Sequence, residues 1–299
     1  MDASIVIPTH NRAALLDGAL ESLAAQSMAN DRFEVLVVDN GSQDDTRAVA
    51  DRWIAAGRLP GRYVREESLG LTLARNRGIS EARAGIIAFI DDDVRVEPHW
   101  LAVLVQAFED STVWGVGGKI RLEWQSPPPP WIHANHRKLL AELDLGPSRC
   151  RVHRYPYLVG ANLAFTAETF RRVGLFHEDL DRQGSNLLSG GDTEFCHRVV
   201  QAGGVLIYEP TAVVGHLVPP ERLRLSFFVR RSYDQGRTVC RYLRISGSND
   251  RSPGRTITLI RNLRDIPVNL LRRDLTEAAR ALTTAAWHLG YLREARASR

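Results

Sequence analysis

Lysine is nearly missing from this 299-residue chain: Lys119 and Lys138 are the two it has, so its basic charge is carried by arginine. Cysteine is scarce too. Cys150, Cys196 and Cys240 are odd in number and far apart, which excludes a disulfide framework or a cysteine-built zinc cluster and fits a reducing compartment. No stretch reaches about 18 uncharged apolar residues, and the opening MDASIVIPTH has no basic region followed by an apolar run. Neither a membrane span nor a secretory leader is expected, and the expected location is the cytoplasm. After the first apolar run stands PTHNRA instead of G-x-G-x-x-G, which excludes a dinucleotide-dependent oxidoreductase. No internal repeat occurs at a useful period.

At 44% apolar and 25% charged, the composition is that of a protein with a sizeable core. Its net charge of +4 is unevenly spread: residues 221–299 hold 17 arginines against seven acids, +10, which leaves −6 for residues 1–220. A basic C-terminal region on a mildly acidic body suggests contact with an anionic surface or, as the plain alternative, a solvated helical face packed on the body. No nucleic-acid partner is expected.

Residues 1–115 alternate short β-rich runs with helical spacing. Ser4–Pro8, Glu34–Asp39, Tyr63-Val64 and Ile86–Ile90 read as strands. Leu15, Leu16, Ala19, Leu20 and Leu23 follow helical spacing, as do residues 72–83 and Leu101, Leu104, Val105 and Phe108. Ser42 with Asp45 reads as a capping box for the helix between the second and third strands. This βα alternation predicts an α/β fold, a mostly parallel sheet covered on both faces, with the strands' C-terminal ends along one edge. Residues 113–124, 158–165 and 205–208 predict further strands, 192–202 a helix, and the tail after 220 more helices. The expected division is 1–220, with a nucleotide-binding half at 1–115 and an acceptor and metal-completing half at 116–220, followed by a basic helical extension at 221–299.

Three polar clusters follow three of these strands: Thr9-His10-Asn11, Asp39-Asn40-Gly41-Ser42 and Asp91-Asp92-Asp93. The topology makes them converge. Three adjacent carboxylates repel unless a hard cation such as Mg²⁺ or Mn²⁺ sits among them; the competing reading is a strand cap with exposed acids. Asp39 suits a base edge or ribose hydroxyls, or an Asx turn into Asn40-Gly41. Arg75, near a helix start, suits phosphate or a base carbonyl, or a solvated face. Asp192, after Gly190-Gly191, is either an N-cap or a general base. His216 is either structural or a further ligand beside Asp93.

In order along the chain, SIVIPTHNR, VLVVDNGSQDDT, LARNRGI, AFIDDDV, YLVGANLAF and GGDTEFCHR resemble the family-2 glycosyltransferases, over roughly residues 3–245. The resemblance implies the GT-A nucleotide-diphospho-sugar transferase fold and metal-dependent, inverting sugar transfer to an acceptor hydroxyl. It implies that Thr9 and Asp39, with Pro8 and Asn11, hold the nucleobase and ribose, and that Arg75 lies on the base or diphosphate. Asp91 and Asp93 match the outer acids of the Asp-X-Asp motif, with Asp91 toward the ribose, Asp93 on Mn²⁺ or Mg²⁺, and Asp92 in the replaceable middle. His216 would complete the metal site. Asp192 matches the catalytic base, although Gly191 precedes it where the family usually has an acid. Gly160, Ala161, Asn162, Gly191 and Glu194 would line the sugar and acceptor. His10 stands where many members carry tyrosine.

The same resemblance implies a nucleotide-diphospho-sugar donor, UDP ahead of GDP or dTDP. The acceptor would be a surface polysaccharide, glycolipid or natural product, and a lipid-linked acceptor would bring peripheral contact at the inner face of the cell membrane. Pairing into a homodimer through the tail is the alternative use of those helices. A non-catalytic sugar-nucleotide-binding or scaffold protein is the rival function, disfavoured because the base and ligand positions are all filled. SGGDTEF is also similar to the diguanylate cyclase signature, but Thr193 interrupts it.

Overall fold

Every residue of β1 (Ala3–Thr9) and β2 (Phe33–Asp39) is buried. A strand covered on both faces needs apolar side chains on both, which is why ASIVIPT and FEVLVVD run apolar instead of alternating. The computed structural model describes residues 1–184, 186–247 and 254–297. In it β1 lies parallel between β2 and β4 (Ile86–Phe89), and β3 (Gly61–Arg65) extends the sheet parallel to β2. Their register sets Thr9 opposite Asp39, so these strands end at one edge. Beyond β4 the sheet turns antiparallel, through β8 (Leu163–Thr166), β6 (Val113–Trp124), β9 (Val205–Val218) and β5 (Val94–Val96). A two-residue β7 (Cys150–Arg151) pairs with β9 off this path.

Helices α1 (Ala13–Ala24), α2 (Thr46–Ile54), α3 (Leu71–Glu81) and α4 (Trp100–Ala107) occupy the connections among the first strands, as the apolar spacing predicts. The short α5 (Ala134–Leu139) and α6 (Ala167–Val173) precede α7 (Gly191–Gln201). Phe89, Phe165, Phe170, Phe176 and Phe195 form one aromatic cluster, with Phe195 4.7 Å from both Phe165 and Phe176. Such edge and offset contacts lock ring orientation beyond simple area burial. They anchor α7 on the sheet and thereby place Asp192 in its first turn.

Three local expectations are corrected. The strand expected at 158–165 is confined to 163–166, because Asn162 N donates to the Val159 carbonyl and closes a turn through Gly160. The strand expected at 205–208 continues to Val218. The cap of α2 is not built on Ser42: Asp44 Oδ1 accepts from Thr46 N at 3.1 Å and from Thr46 Oγ1 at 2.5 Å.

The chain forms two units. One comprises Met1–Glu123, Ala141–Glu178 and Gly191–Leu217, and contains the sheet core. The other comprises Trp124–Leu140, Asp179–Gly190 and Val218–Arg299. Within this second unit α8 (Leu225–Ile245) packs on α10 (Leu275–Ala297), and α10 packs on α9 (Gly254–Leu271). No helix among the described residues is long and apolar enough to cross a membrane.

Candidate active site

The Asp91–Asp93 turn joins β4 to β5, and β5 pairs with β9 so that Val94 stands opposite His216. Leu217 N donates to the Asp93 carbonyl at 2.9 Å, which fixes this register at the turn itself. His216 Nε2 consequently lies 3.2 Å from Asp93 Oδ1, and both residues are nearly inaccessible, at 4% and 2% exposure. Asp91, Asp93 and His216 each offer one ligand atom, all within 4.8 Å of one another. Two carboxylate oxygens and an imidazole nitrogen at that separation fit a Mg²⁺- or Mn²⁺-sized cation with positions left for a diphosphate.

Arg12 is a site residue that motif reading passed over. Its Nη1 lies 2.8 Å from Asp92 Oδ1 and 3.0 Å from Asp93 Oδ2. Burial works against the Arg12 charge, but Asp92 and then Asp93 more than offset it and hold its pKa above the ordinary value. Asp92 in turn accepts from Thr9 Oγ1 at 2.9 Å. Burial, opposed by Arg12 and reinforced by Asp93, leaves the Asp92 carboxyl raised to about 6. Its signals in the sequence were its place immediately after the polar end of β1 and its position at the end of SIVIPTHNR.

Arg75 is 4% exposed, and its Nη2 lies 3.1 Å from Asp91 Oδ1. The guanidinium occupies the space where Gly160 would carry a side chain: a Cβ there would fall 2.5 Å from Arg75 Nη2. Gly160 N donates to Asp192 Oδ2 at 2.8 Å, and Asp192 Oδ1 accepts from Thr193 N at 2.7 Å. Metal-ligand candidates, a buried cation, a glycine turn and a helix-start carboxylate thus form one continuous chain of contacts. Asp192 is half-buried, and its charge helps raise the phenol of the nearby, exposed Tyr155.

The three polar strand ends meet, although several of their side chains hold the backbone. Asp39 is 1% exposed and accepts from Ser42 N at 2.8 Å and Tyr63 Oη at 2.5 Å, the former an Asx-type turn. Pro8 and Thr9 are buried. Asn11, with a φ of 53°, receives Gln43 N and donates its own N–H to Ser42 Oγ, tying the first two strand ends together. His10 is exposed, its Nδ1 2.6 Å from the Asn40 carbonyl oxygen.

The positions expected on the sugar and acceptor side, Gly160, Ala161, Asn162, Gly191 and Glu194, are all buried. Asn162 is fully buried and its amide is spent on Trp100 Nε1, Lys119 O and Ala212 O. Ala161 is 1% exposed. Glu194 is 3% exposed and paired with Arg198 through both oxygens, at 2.6 and 2.9 Å. These residues shape the turn and helix that carry Gly160 and Asp192.

A sequence profile of glycosyl transferase family 2 matches residues 4–169. The chain belongs to that family. Among curated relatives, the transferase is 28% identical to glycosyltransferase AglE of Haloferax volcanii, over 78% of this chain and 73% of the relative. It is 26% identical to the glucosyl-dolichyl phosphate glucuronosyltransferase of the same organism, over 79% of this chain and 75% of the relative. Among solved structures, the mannosyltransferase PcManGT of Pyrobaculum calidifontis, in complex with GDP-Man and Mn²⁺, aligns with a TM-score of 0.62 at 20% identity. That alignment covers 99% of this chain and 75% of the other. The likeness places this glycosyltransferase in the GT-A fold.

Proposed function

We propose that this transferase moves a sugar from a UDP-sugar to an acceptor hydroxyl with inversion, and that it depends on a divalent cation held by Asp91, Asp93 and His216. The approach of those three ligand atoms to within 4.8 Å carries the reading. When bound, the cation would supply Lewis-acid stabilisation of the charge that grows on the departing diphosphate.

The residues around it have separable tasks. Arg75, held beside Asp91, offsets phosphate charge, and its planar fork suits a phosphoryl oxygen. Arg12 pairs with Asp92 and Asp93 and offsets the repulsion between them. Asp39 and Asn11 shape the pocket for the nucleoside, while Pro8 and Thr9 form its floor. Asp192 takes the proton of the attacking hydroxyl, and the backbone N–H groups of Gly160 and Thr193 hold its carboxylate in one orientation. Direct displacement at the anomeric carbon by a hydroxyl deprotonated on the opposite face inverts its configuration. A lipid-linked acceptor is supported by the dolichyl phosphate in the name of one relative.

UDP release from a panel of UDP-sugars in Mn²⁺, with parent and Asp192→Asn, tests the reading. The parent is expected to release UDP slowly by hydrolysis even without acceptor, with EDTA abolishing it. Asp192→Asn is expected to lose transfer while nucleotide still raises its melting temperature. Turnover of Asp192→Asn near the parent's would overturn the base assignment, and turnover unaffected by EDTA would overturn the cation.

A further inference from the structure

Among the described residues, six of the thirteen large apolar side chains that stand exposed lie on α9: Ile257, Ile260, Leu263, Val268, Leu270 and Leu271. At about 100° per residue they fall within an arc of roughly 160°. The opposite arc, which carries Asn262 at 2% exposure, is the one packed in the second unit. Arginine interleaves the exposed arc. Arg264 is exposed within it and Arg261 just beyond its edge, and Arg272 and Arg273 are exposed directly after the helix, followed by Asp274. Asp265, in contrast, is only half-exposed and projects on the packed side. A helix that turns its apolar arc outward and surrounds it with guanidinium groups has inverted the ordinary arrangement of a surface helix.

We propose that the exposed face of α9 is an interfacial anchor that lies in the headgroup region of a bilayer containing anionic lipid. Isoleucine and leucine side chains enter the acyl boundary, and Arg261, Arg264, Arg272 and Arg273 pair with lipid phosphates at its rim. The helix lies on the surface and does not span it, consistent with its hydropathy. Charge decides against a second copy as occupant. An isologous contact through this face would set the same four arginines against their own images, with Asp265, the one acid of α9, on the packed side. An anionic surface meets the same arginines with opposite charge. This inference stands apart from the proposed chemistry and does not require any particular donor or acceptor.

Co-sedimentation of the full chain with phosphatidylcholine vesicles, with and without phosphatidylglycerol, tests it. The parent is expected to pellet with the mixed vesicles and stay in solution with pure phosphatidylcholine. Ile260→Asp and Leu263→Asp should each weaken partitioning about tenfold, as loss of a buried aliphatic side chain would. Arg264→Gln and Arg272→Gln should each weaken it about fivefold and reduce its salt sensitivity. All four positions are exposed, so melting temperatures should stay at the parent value. Parent protein that stays in solution with both vesicle types overturns the proposal. So does Ile260→Asp binding vesicles as the parent does. A concentration-dependent dimer that Ile260→Asp converts to monomer, with vesicle binding absent, overturns it in favour of self-association. UDP release in detergent-free solution reads the chemistry separately, so failure here leaves that result untouched.

Discussion

Gly160 and Arg75 share one space: a Cβ on residue 160 would stand 2.5 Å from the guanidinium that reaches Asp91 at 3.1 Å. A glycine here permits close packing, not an unusual backbone angle. The nearly buried arginine has little room to retreat, so any side chain at 160 must displace it from Asp91. The same glycine's N–H also orients Asp192. Gly160→Ala is therefore expected to cut sugar transfer about a hundredfold, the scale on which a misplacement near 1 Å acts. Its melting temperature should remain within about 4 °C of the parent's. Near-parental turnover in Gly160→Ala would show that Arg75 has another productive position.

Asp92 and Asp93 should separate by readout. Asp92 is held by Thr9 and Arg12, so Asp92→Ala strands a hydroxyl and removes one of the two carboxylates bonded to a largely buried arginine. A loss of about 3 kcal/mol of stability is expected, with or without added Mn²⁺. Asp93→Asn should behave differently. The parent's melting temperature should rise on adding Mn²⁺, because a ligand bound by the folded state alone stabilises it. That rise should vanish in Asp93→Asn and in His216→Ala. Calorimetric scans with and without Mn²⁺ distinguish the cases, and a full Mn²⁺ response in Asp93→Asn would refute the ligand set.

Much of this was legible in the sequence. Apolar runs at β1, β2 and β4 located the parallel half of the sheet, and parallel register alone brings Thr9 and Asp39 abreast. Proximity of His216 to Asp93 depends on a long-range antiparallel pair, Val94 with His216, which no local pattern encodes. The motif nevertheless marked both residues. What periodicity and motif could not reveal is which polar atoms are spent internally. Asn162 looks like a substrate contact in YLVGANLAF, yet its amide is consumed by Trp100, Lys119 and Ala212. Asp92 occupies the replaceable place of its motif, yet it is 4% exposed and bonded to Arg12. Both outcomes depend on tertiary partners about 40 to 80 residues away in sequence.

The second unit should lose stability in mild acid through His136. Its ring is 1% exposed, packs edge-on against Trp131 and Phe228, and places Nε2 3.3 Å from Thr283 Oγ1. Burial, with His133 adding, lowers its pKa from 6.5 to about 4. The folded state therefore keeps the ring neutral where the unfolded chain already binds a proton. Stability from this group is full above about pH 6.5 and is lost as pH falls toward 4. Thermal melts between pH 7.5 and 4.5 should show a decline that is shallower in His136→Gln. Parallel declines in the two proteins would rule His136 out as the cause.

Helices α8 and α10 cross backbone to backbone at two glycines. A Cβ on Gly236 would lie 1.9 Å from the Trp287 carbonyl oxygen, and one on Gly290 would lie 1.9 Å from the Tyr233 carbonyl oxygen. Neither obstacle is a flexible side-chain end, so the helices themselves must part to admit a methyl group. Separation would also strain the Arg237 and Arg241 pairs with Glu294, both 2.8 Å long, which join the same two helices. Gly236→Ala and Gly290→Ala should each cost about 3 kcal/mol, near the upper end for an overpacked core. Gly85→Ala provides the control, since a Cβ there meets nothing within 4 Å. The double variant should cost less than the two single losses combined, because one separation of the helices relieves both clashes. Urea unfolding of the parent and these four variants measures this directly. Gly290→Ala unfolding with the parent would mean that the helices do not cross at these glycines.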